Sequence, residues 1–195
     1  MKVLLINGSP RKNGNTHEAL VVIEEELQKK GIETDWFQIG NQPVQGCISC
    51  GSCRGKNRCV FQDDECNRLI EMILGADGLI VGSPVYFAGP NGALCALLDR
   101  VFYATCTYDQ MFQGKAAAAV VSCAWAGGTA ALDRLHRYFV PCQMPIINSG
   151  DYTVFQGDSV KRREERSLQL LRELAANMVR QLRHGSNGQG GNREI

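Results

Sequence analysis

The chain has 195 residues, a formal net charge of +1 and nine cysteines, enough length for one domain with a real core. That charge gives no electrostatic reason to expect nucleic acid or an anionic membrane as partner, and no apolar run reaches the length of a membrane span. The opening "MKVLLINGSP" is too short an apolar run for a signal peptide. Nine cysteines without an export signal therefore predict a reducing compartment, the cytoplasm, and metal or redox chemistry rather than a disulfide framework.

Along the chain, strand and helix patterns alternate. "KVLLIN" (2–7) is a short continuous apolar run, as a strand covered on both faces requires. "THEALVVIEEELQKKG" (16–31) carries Leu20, Ile23 and Leu27 at helical spacing, with Gly31 to end the helix. "IETDWFQI" (32–39) reads as a second strand. "DDECNRLIEMILGA" (63–76) opens with acids suited to a helix N-terminus and turns Leu69, Met72 and Ile73 to one side. "DGLIVGS" (77–83) is a third strand, and "NGALCALLDRVFYA" (91–104) a helix with Leu94, Leu97, Leu98 and Val101 inward. "KAAAAVVSC" (115–123) is a fourth strand, "GTAALDRLHRYFV" (128–140) a helix, and "MPIINSG" (144–150) a short fifth strand. The last helix is expected over 159–183, with Leu168, Leu171, Ala175, Met178 and Leu182 on one stripe. The pattern predicts an α/β fold: a doubly wound five-stranded parallel sheet of order 2-1-3-4-5, with helices on both faces. One domain spans 1–183, a cysteine loop (47–59) is inserted after the second strand, and 184–195 form a polar, glycine-rich flexible tail.

In such sheets ligands bind outside the carboxyl ends of the strands. The loop after the first strand, "NGSPRKNGNT" (7–16), offers Gly8 and Gly14 for tight turns, the side chains of Ser9, Asn15 and Thr16, and the charge of Arg11 at a helix N-terminus. That is anion-binding chemistry. It lacks the G-K-[ST] ending of a nucleoside-triphosphate loop and the G-x-G-x-x-G of a dinucleotide site. No cysteine has an arginine six positions later, which argues against a cysteine-dependent phosphatase. A single terminal phosphate fits best. After the third strand, Pro84, Val85, Tyr86 and Phe87 suit a planar heteroaromatic ring. After the fourth, "SCAWAGGT" (122–129) brings Gly127 and Gly128 for close backbone approach and Thr129 as a helix cap.

The segments "GSPRKNGNT", "SPVYF" and "AGGT", with the cysteine loop and its following "DD", resemble the NAD(P)H-dependent FMN reductase superfamily of flavodoxin-like proteins. The likeness is greatest to its iron–sulfur flavoprotein branch. The resemblance implies FMN, with phosphate at Ser9, Arg11, Asn15 and Thr16 and the ring against Pro84, Val85, Tyr86 and Phe87. Ala124, Gly127 and Gly128 would then lie at its other edge. It also implies a homodimer or tetramer, with the flavin near a subunit interface, NAD(P)H as a transient donor, and a quinone-type or other small-molecule acceptor.

The cysteine spacing C-x2-C-x2-C-x5-C (Cys47, Cys50, Cys53, Cys59) can wrap one 4Fe-4S cubane, as the opening run of bacterial ferredoxins does. Cys59 is local and followed by Val60 rather than proline; the resemblance makes it the fourth ligand, with Cys66 in reserve. Structural zinc and metal-free thiols remain open beside the cluster. Cys95, Cys106, Cys123 and Cys142 read as small buried hydrophobes, and His17, His136 and His184 are too scattered to suggest a base or ligand. Three functions follow. The leading one is an FMN-dependent oxidoreductase of the NAD(P)H-dependent FMN/quinone reductase type, in which the flavin carries the chemistry and no catalytic acid or base is needed. The second is an iron–sulfur flavoprotein exchanging electrons with ferredoxin. The third is a non-catalytic flavin- or zinc-binding redox sensor.

Overall fold

The structure, a computed structural model, describes residues 1–151, 154–156 and 165–187. Its elements in chain order are β1 (Lys2–Asn7), α1 (Asn15–Lys29), β2 (Glu33–Gln38), α2 (Cys66–Leu74), β3 (Gly78–Tyr86), β4 (Gly89–Pro90), α3 (Gly92–Cys106), β5 (Ala116–Cys123), α4 (Gly128–Phe139), β6 (Val154–Gln156) and α5 (Glu165–Asn187). Five strands pair in parallel in the order β2-β1-β3-β5-β6, the doubly wound arrangement expected from the sequence. The two-residue β4 folds back antiparallel on the end of β3.

Alternation along each strand divides the core between the two faces of the sheet. Leu4, Ile6, Leu79, Val81, Ala117 and Ala119 face one way, toward Leu69 and Ile73 of α2, Leu94, Leu98 and Val101 of α3, and Leu132 of α4. Val3, Leu5, Ile80, Ala118 and Val120 face the other way, toward Leu20, Ile23 and Leu27 of α1 and Leu171, Ala175 and Met178 of α5. The stripe expected on the last helix is thus buried, with Leu168 partly so. The expected start of that helix (159–164) and residues 188–195 of the expected tail lie outside the described residues, and α5 itself runs on to Asn187. No helix among the described residues is long and apolar enough to cross a membrane.

The fifth strand differs from its expected position. "MPIINSG" makes only an isolated bridge between Ile146 and Ala117, and the strand that extends the sheet is β6, against Val121–Cys123. Pro145 has no N–H to give a ladder, and its carbonyl accepts from Ala117 N at 2.9 Å. Three residues on, the Asn148 side chain accepts from Gly150 N at 2.9 Å and Gly150 turns to φ +83°, so the chain leaves the sheet.

Candidate functional site

Three loops meet at the carboxyl edge of β1, β3 and β5, and buried or partly buried hydrogen bonds tie them into one unit. Asn91 caps α3 by accepting from Ala93 N (3.0 Å), while its amide donates to the Gly8 carbonyl (2.7 Å). Its own N–H donates to Ser83 Oγ (3.0 Å). On the other flank, Thr16 and Ser122 share a hydroxyl hydrogen bond of 2.7 Å. Gln38, at the end of β2, donates to the Ser9 carbonyl (2.6 Å) and accepts from Asn7 Nδ2 (2.7 Å), whose Oδ1 takes Ser9 N–H (3.1 Å). Close packing at Gly8 supports this loop. A Cβ there would lie 2.4 Å from Leu94 Cδ2 and 2.7 Å from the Gly82 carbonyl.

Of the residues expected at the phosphate, Ser9 and Thr16 are buried, Asn15 is half-buried and Arg11 is exposed. Ser9 Oγ accepts from Arg11 N at 3.1 Å, which leaves its own proton to donate. The Arg11 guanidinium has no hydrogen-bond or ion-pair partner among the described residues, at the start of a helix whose dipole favours an anion.

On the ring side, Pro84 and Val85 are half-buried and Tyr86 and Phe87 exposed. Phe87 (φ +48°) and Ala88 (φ +66°) form the two-residue turn between β3 and β4, both in the left-handed region that side chains normally avoid. This turn packs on the third loop: a Cβ on Gly127 would stand 2.4 Å from Ala88 Cα. Ala124 is exposed, Gly127 half-buried and Gly128 buried, and between them Trp125 is 88% exposed. Thr129 is not the cap expected from the sequence. The N-cap is Gly127 at φ +85°, with no side-chain bond, and the approach of Ala88 leaves no room for a Cβ there. Exposed apolar rings beside a polar, dipole-backed loop fit a ligand with an aromatic body and a phosphate tail, so these residues fit FMN.

Cys47, Cys50, Cys53 and Cys59 line a single cavity with Phe61, Arg100 and Tyr103 of the adjoining chain. The loop coils through Ser49, Gly51, Gly55 and Asn57 at positive φ, and Ser49 N–H points to Cys47 Sγ at 3.4 Å. The Ser52 hydroxyl and N–H hold the Cys50 thiol below its ordinary range. Burial pushes Cys53 up, helped by its neighbours Cys50, Cys47 and Cys59. Cys59 is the most firmly placed. Its backbone N–H donates to Asn67 Oδ1 (2.8 Å), and Asn67 Nδ2 donates back to the Cys59 carbonyl (3.1 Å). Cys66 is fully buried behind the cavity wall, its thiol pushed up to about 12 by burial.

Among the described residues no three His, Cys, Asp or Glu side chains close on a single metal ion. Four sulfurs on one zinc would stand about 3.8 Å apart at ordinary Zn–S lengths. Four cysteines lining one cavity match in number the four corners of a cubane, where each thiolate meets its own iron. Of the other cysteines, Cys106, Cys123 and Cys142 are buried as expected and Cys95 is half-buried.

The profile of the family described as NADPH-dependent FMN reductase matches residues 1–158. An iron–sulfur flavoprotein of Methanocaldococcus jannaschii is 33% identical over 161 residues, 80% of this chain and 81% of that protein. A Bacillus subtilis protein named as an NAD(P)H-dependent FMN-containing oxidoreductase is 32% identical over 100 residues, 51% of each chain. In fold, the chain is similar to RosB, solved with 8-demethyl-8-formylriboflavin-5'-phosphate bound (TM-score 0.74, 14% identity, 100% of this chain and 89% of that one). Strand order, loop chemistry and kinship converge: the chain belongs to the NADPH-dependent FMN reductase family and is a flavodoxin-like, FMN-dependent oxidoreductase.

Proposed function

We propose that the three-loop edge is the FMN site of an NAD(P)H-dependent reductase that passes electrons to a quinone-type or other small-molecule acceptor. The observation that carries this reading is the hydrogen-bonded union of the loops, with Arg11 left over as a charged donor. Bound FMN would supply hydride acceptance and one- or two-electron delivery. Arg11 and the N-terminus of α1 would hold its phosphate, assisted by Ser9, Asn15 and Thr16. Pro84, Val85, Tyr86 and Phe87 would bear on one side of the ring, with Ala124, Gly127 and Gly128 at its far edge. Tyr86, Phe87 and Trp125 stand in solvent in the single chain, which favours a homodimer or tetramer whose second subunit covers them and excludes water. Cytoplasmic placement belongs to the same proposal.

The test is Arg11→Ala. Loss of a charged hydrogen bond to phosphate, roughly 1.5–3 kcal/mol when well formed, should weaken FMN binding about tenfold or more. Riboflavin, which lacks the phosphate, should bind both proteins alike in a fluorescence titration. Equal FMN affinities would place the phosphate elsewhere.

A second reading is favoured by the cavity the four cysteines share: a 4Fe-4S cluster, with ferredoxin as electron partner. The protein purified anaerobically should then contain about four irons with matching sulfide per chain. Cys59→Ser should lose them while Cys66→Ser keeps them, since Cys59 faces the cavity and Cys66 does not. FMN without iron or sulfide would leave the plain reductase. A colourless protein, or a flavin that neither NAD(P)H nor reduced ferredoxin can reduce, would point to a redox sensor.

A further inference from the structure

Arg100 lies on α3, 2% exposed, in a helix position otherwise filled by core residues such as Leu97, Val101 and Ala104. Burying a guanidinium is costly unless each donor is met, and here each is. Nε donates to Cys59 Sγ (3.3 Å), and Nη2 to Cys59 Sγ (3.2 Å) and Asp64 Oδ1 (2.9 Å). Nη1 donates to the Gln45 carbonyl (3.1 Å) and to Asp64 Oδ2. The Phe61 ring lies against the guanidinium, 5.0 Å from Cζ to centroid.

Two of these donors converge on one sulfur. A neutral thiol is a weak acceptor, so it would be a poor partner for two charged N–H groups taken out of water. The arrangement suits a sulfur that carries negative charge when the cavity is filled. Hydrogen bonds to ligand sulfur are one of the levers by which a protein sets a cluster's potential. Asp64, bonded to Cys66 N as well as to Arg100, fixes the guanidinium plane.

Resting on the cluster reading above, we infer that Arg100 is the positioning residue of Cys59: held by Asp64, it orients the fourth ligand and raises the reduction potential of the bound cluster. The Arg100 fork donates to the sulfur, while the Asp64 carboxylate adds negative charge beside it. Asn would keep an acceptor for the fork without that charge, so the two act on the potential in opposite directions. Removing the fork of Arg100 lowers it, and neutralising Asp64 raises it. A role confined to folding would not produce that sign difference.

The experiment compares Arg100→Lys, Asp64→Asn and the unaltered protein, purified anaerobically with FMN. Iron and sulfide content and the EPR-monitored midpoint potential are the readouts, with FMN content as the control for folding. The expected result is a more negative midpoint and partial iron loss for R100K, a more positive midpoint for D64N, and unchanged FMN in both. A cluster present in all three at one midpoint, or midpoints moving in the same direction, overturns the role of Arg100 and leaves the cluster reading standing. An unaltered protein that carries FMN but no iron or sulfide overturns both.

Discussion

Gly127→Ala is expected to lower the thermal midpoint by roughly 4–20 °C and to weaken FMN binding at least tenfold. Two penalties add. A residue with a Cβ in the left-handed region costs about 1–2 kcal/mol, and Gly127 sits at φ +85°. The new methyl would also lie 2.4 Å from Ala88 Cα and 2.7 Å from Ala88 Cβ. A backbone atom cannot rotate away as a side-chain tip can, and forced overpacking costs about 1–3 kcal/mol. At about 2–4 °C per kcal/mol for a chain of this size, the sum gives the stated range. Relief requires moving the Phe87–Ala88 turn, itself held at positive φ, or the Gly127 loop, and that turn carries Phe87 of the proposed ring site. Gly92→Ala is the matched control. No atom lies within 4 Å of the added methyl, the position opens a helix, and the change should be neutral or stabilising by up to about 1 kcal/mol. If Gly127→Ala destabilised the chain yet bound FMN normally, the turn would not be part of the flavin site.

Asp64→Ala should destabilise the protein by about 3 kcal/mol in denaturant unfolding, because it strands the Arg100 charge. Breaking a buried pair from one side costs about 3–5 kcal/mol. The lower end applies because the Asp64 side chain is 24% exposed, against 1% for Arg100. Lys29→Ala, which opens an exposed pair with Glu26, should cost no more than about 0.5 kcal/mol. The pH dependence has a definite sign. Burial works to raise the Asp64 carboxyl, but the hydrogen bonds from Arg100 and from Cys66 N outweigh it and hold the group below its usual range. A depressed folded value means that the stabilisation is fully present above the unfolded value near 3.9 and is lost as pH falls through the folded one. Asp64→Ala should lack that part of the acid response. An equal loss at neutral pH from Asp64→Ala and Lys29→Ala would mean that the Cys59 sulfur and the Gln45 carbonyl suffice for the Arg100 charge.

The loops were legible in the sequence because each is a contiguous segment following a strand, and chain order alone brings such segments to one edge of a parallel sheet. Arg11, Tyr86 and Gly127 could therefore be named without coordinates. The residues that lock the loops together could not. Asn91 meets Gly8 across 83 positions and Thr16 meets Ser122 across 106, distances over which spacing carries no information. Asn91 did offer a local signal, standing after Pro90 at the head of an apolar helix where a cap belongs. Arg100 offered another: a charge on the inward stripe of "NGALCALLDRVFYA" must have a buried partner. Pro145 and Gly150 likewise warned against a continuous strand at "MPIINSG". Thr129 misled because hydroxyl residues favour caps, whereas here the close approach of Ala88 requires glycine at that place.

One helix runs between the two proposed sites. Asn91 secures the phosphate loop at the head of α3, and Arg100 grips Cys59 farther along it. Nine residues of α-helix separate them by about 13 Å and fix their relative rotation, since each residue adds about 1.5 Å and 100°. Electron tunnelling falls off exponentially with separation, so with FMN and a cluster bound as proposed, α3 would set the spacing between them. A single inserted residue in this stretch would lengthen the gap slightly but swing Arg100 about a quarter turn from its sulfur. The segment should therefore tolerate substitution far better than any change of length.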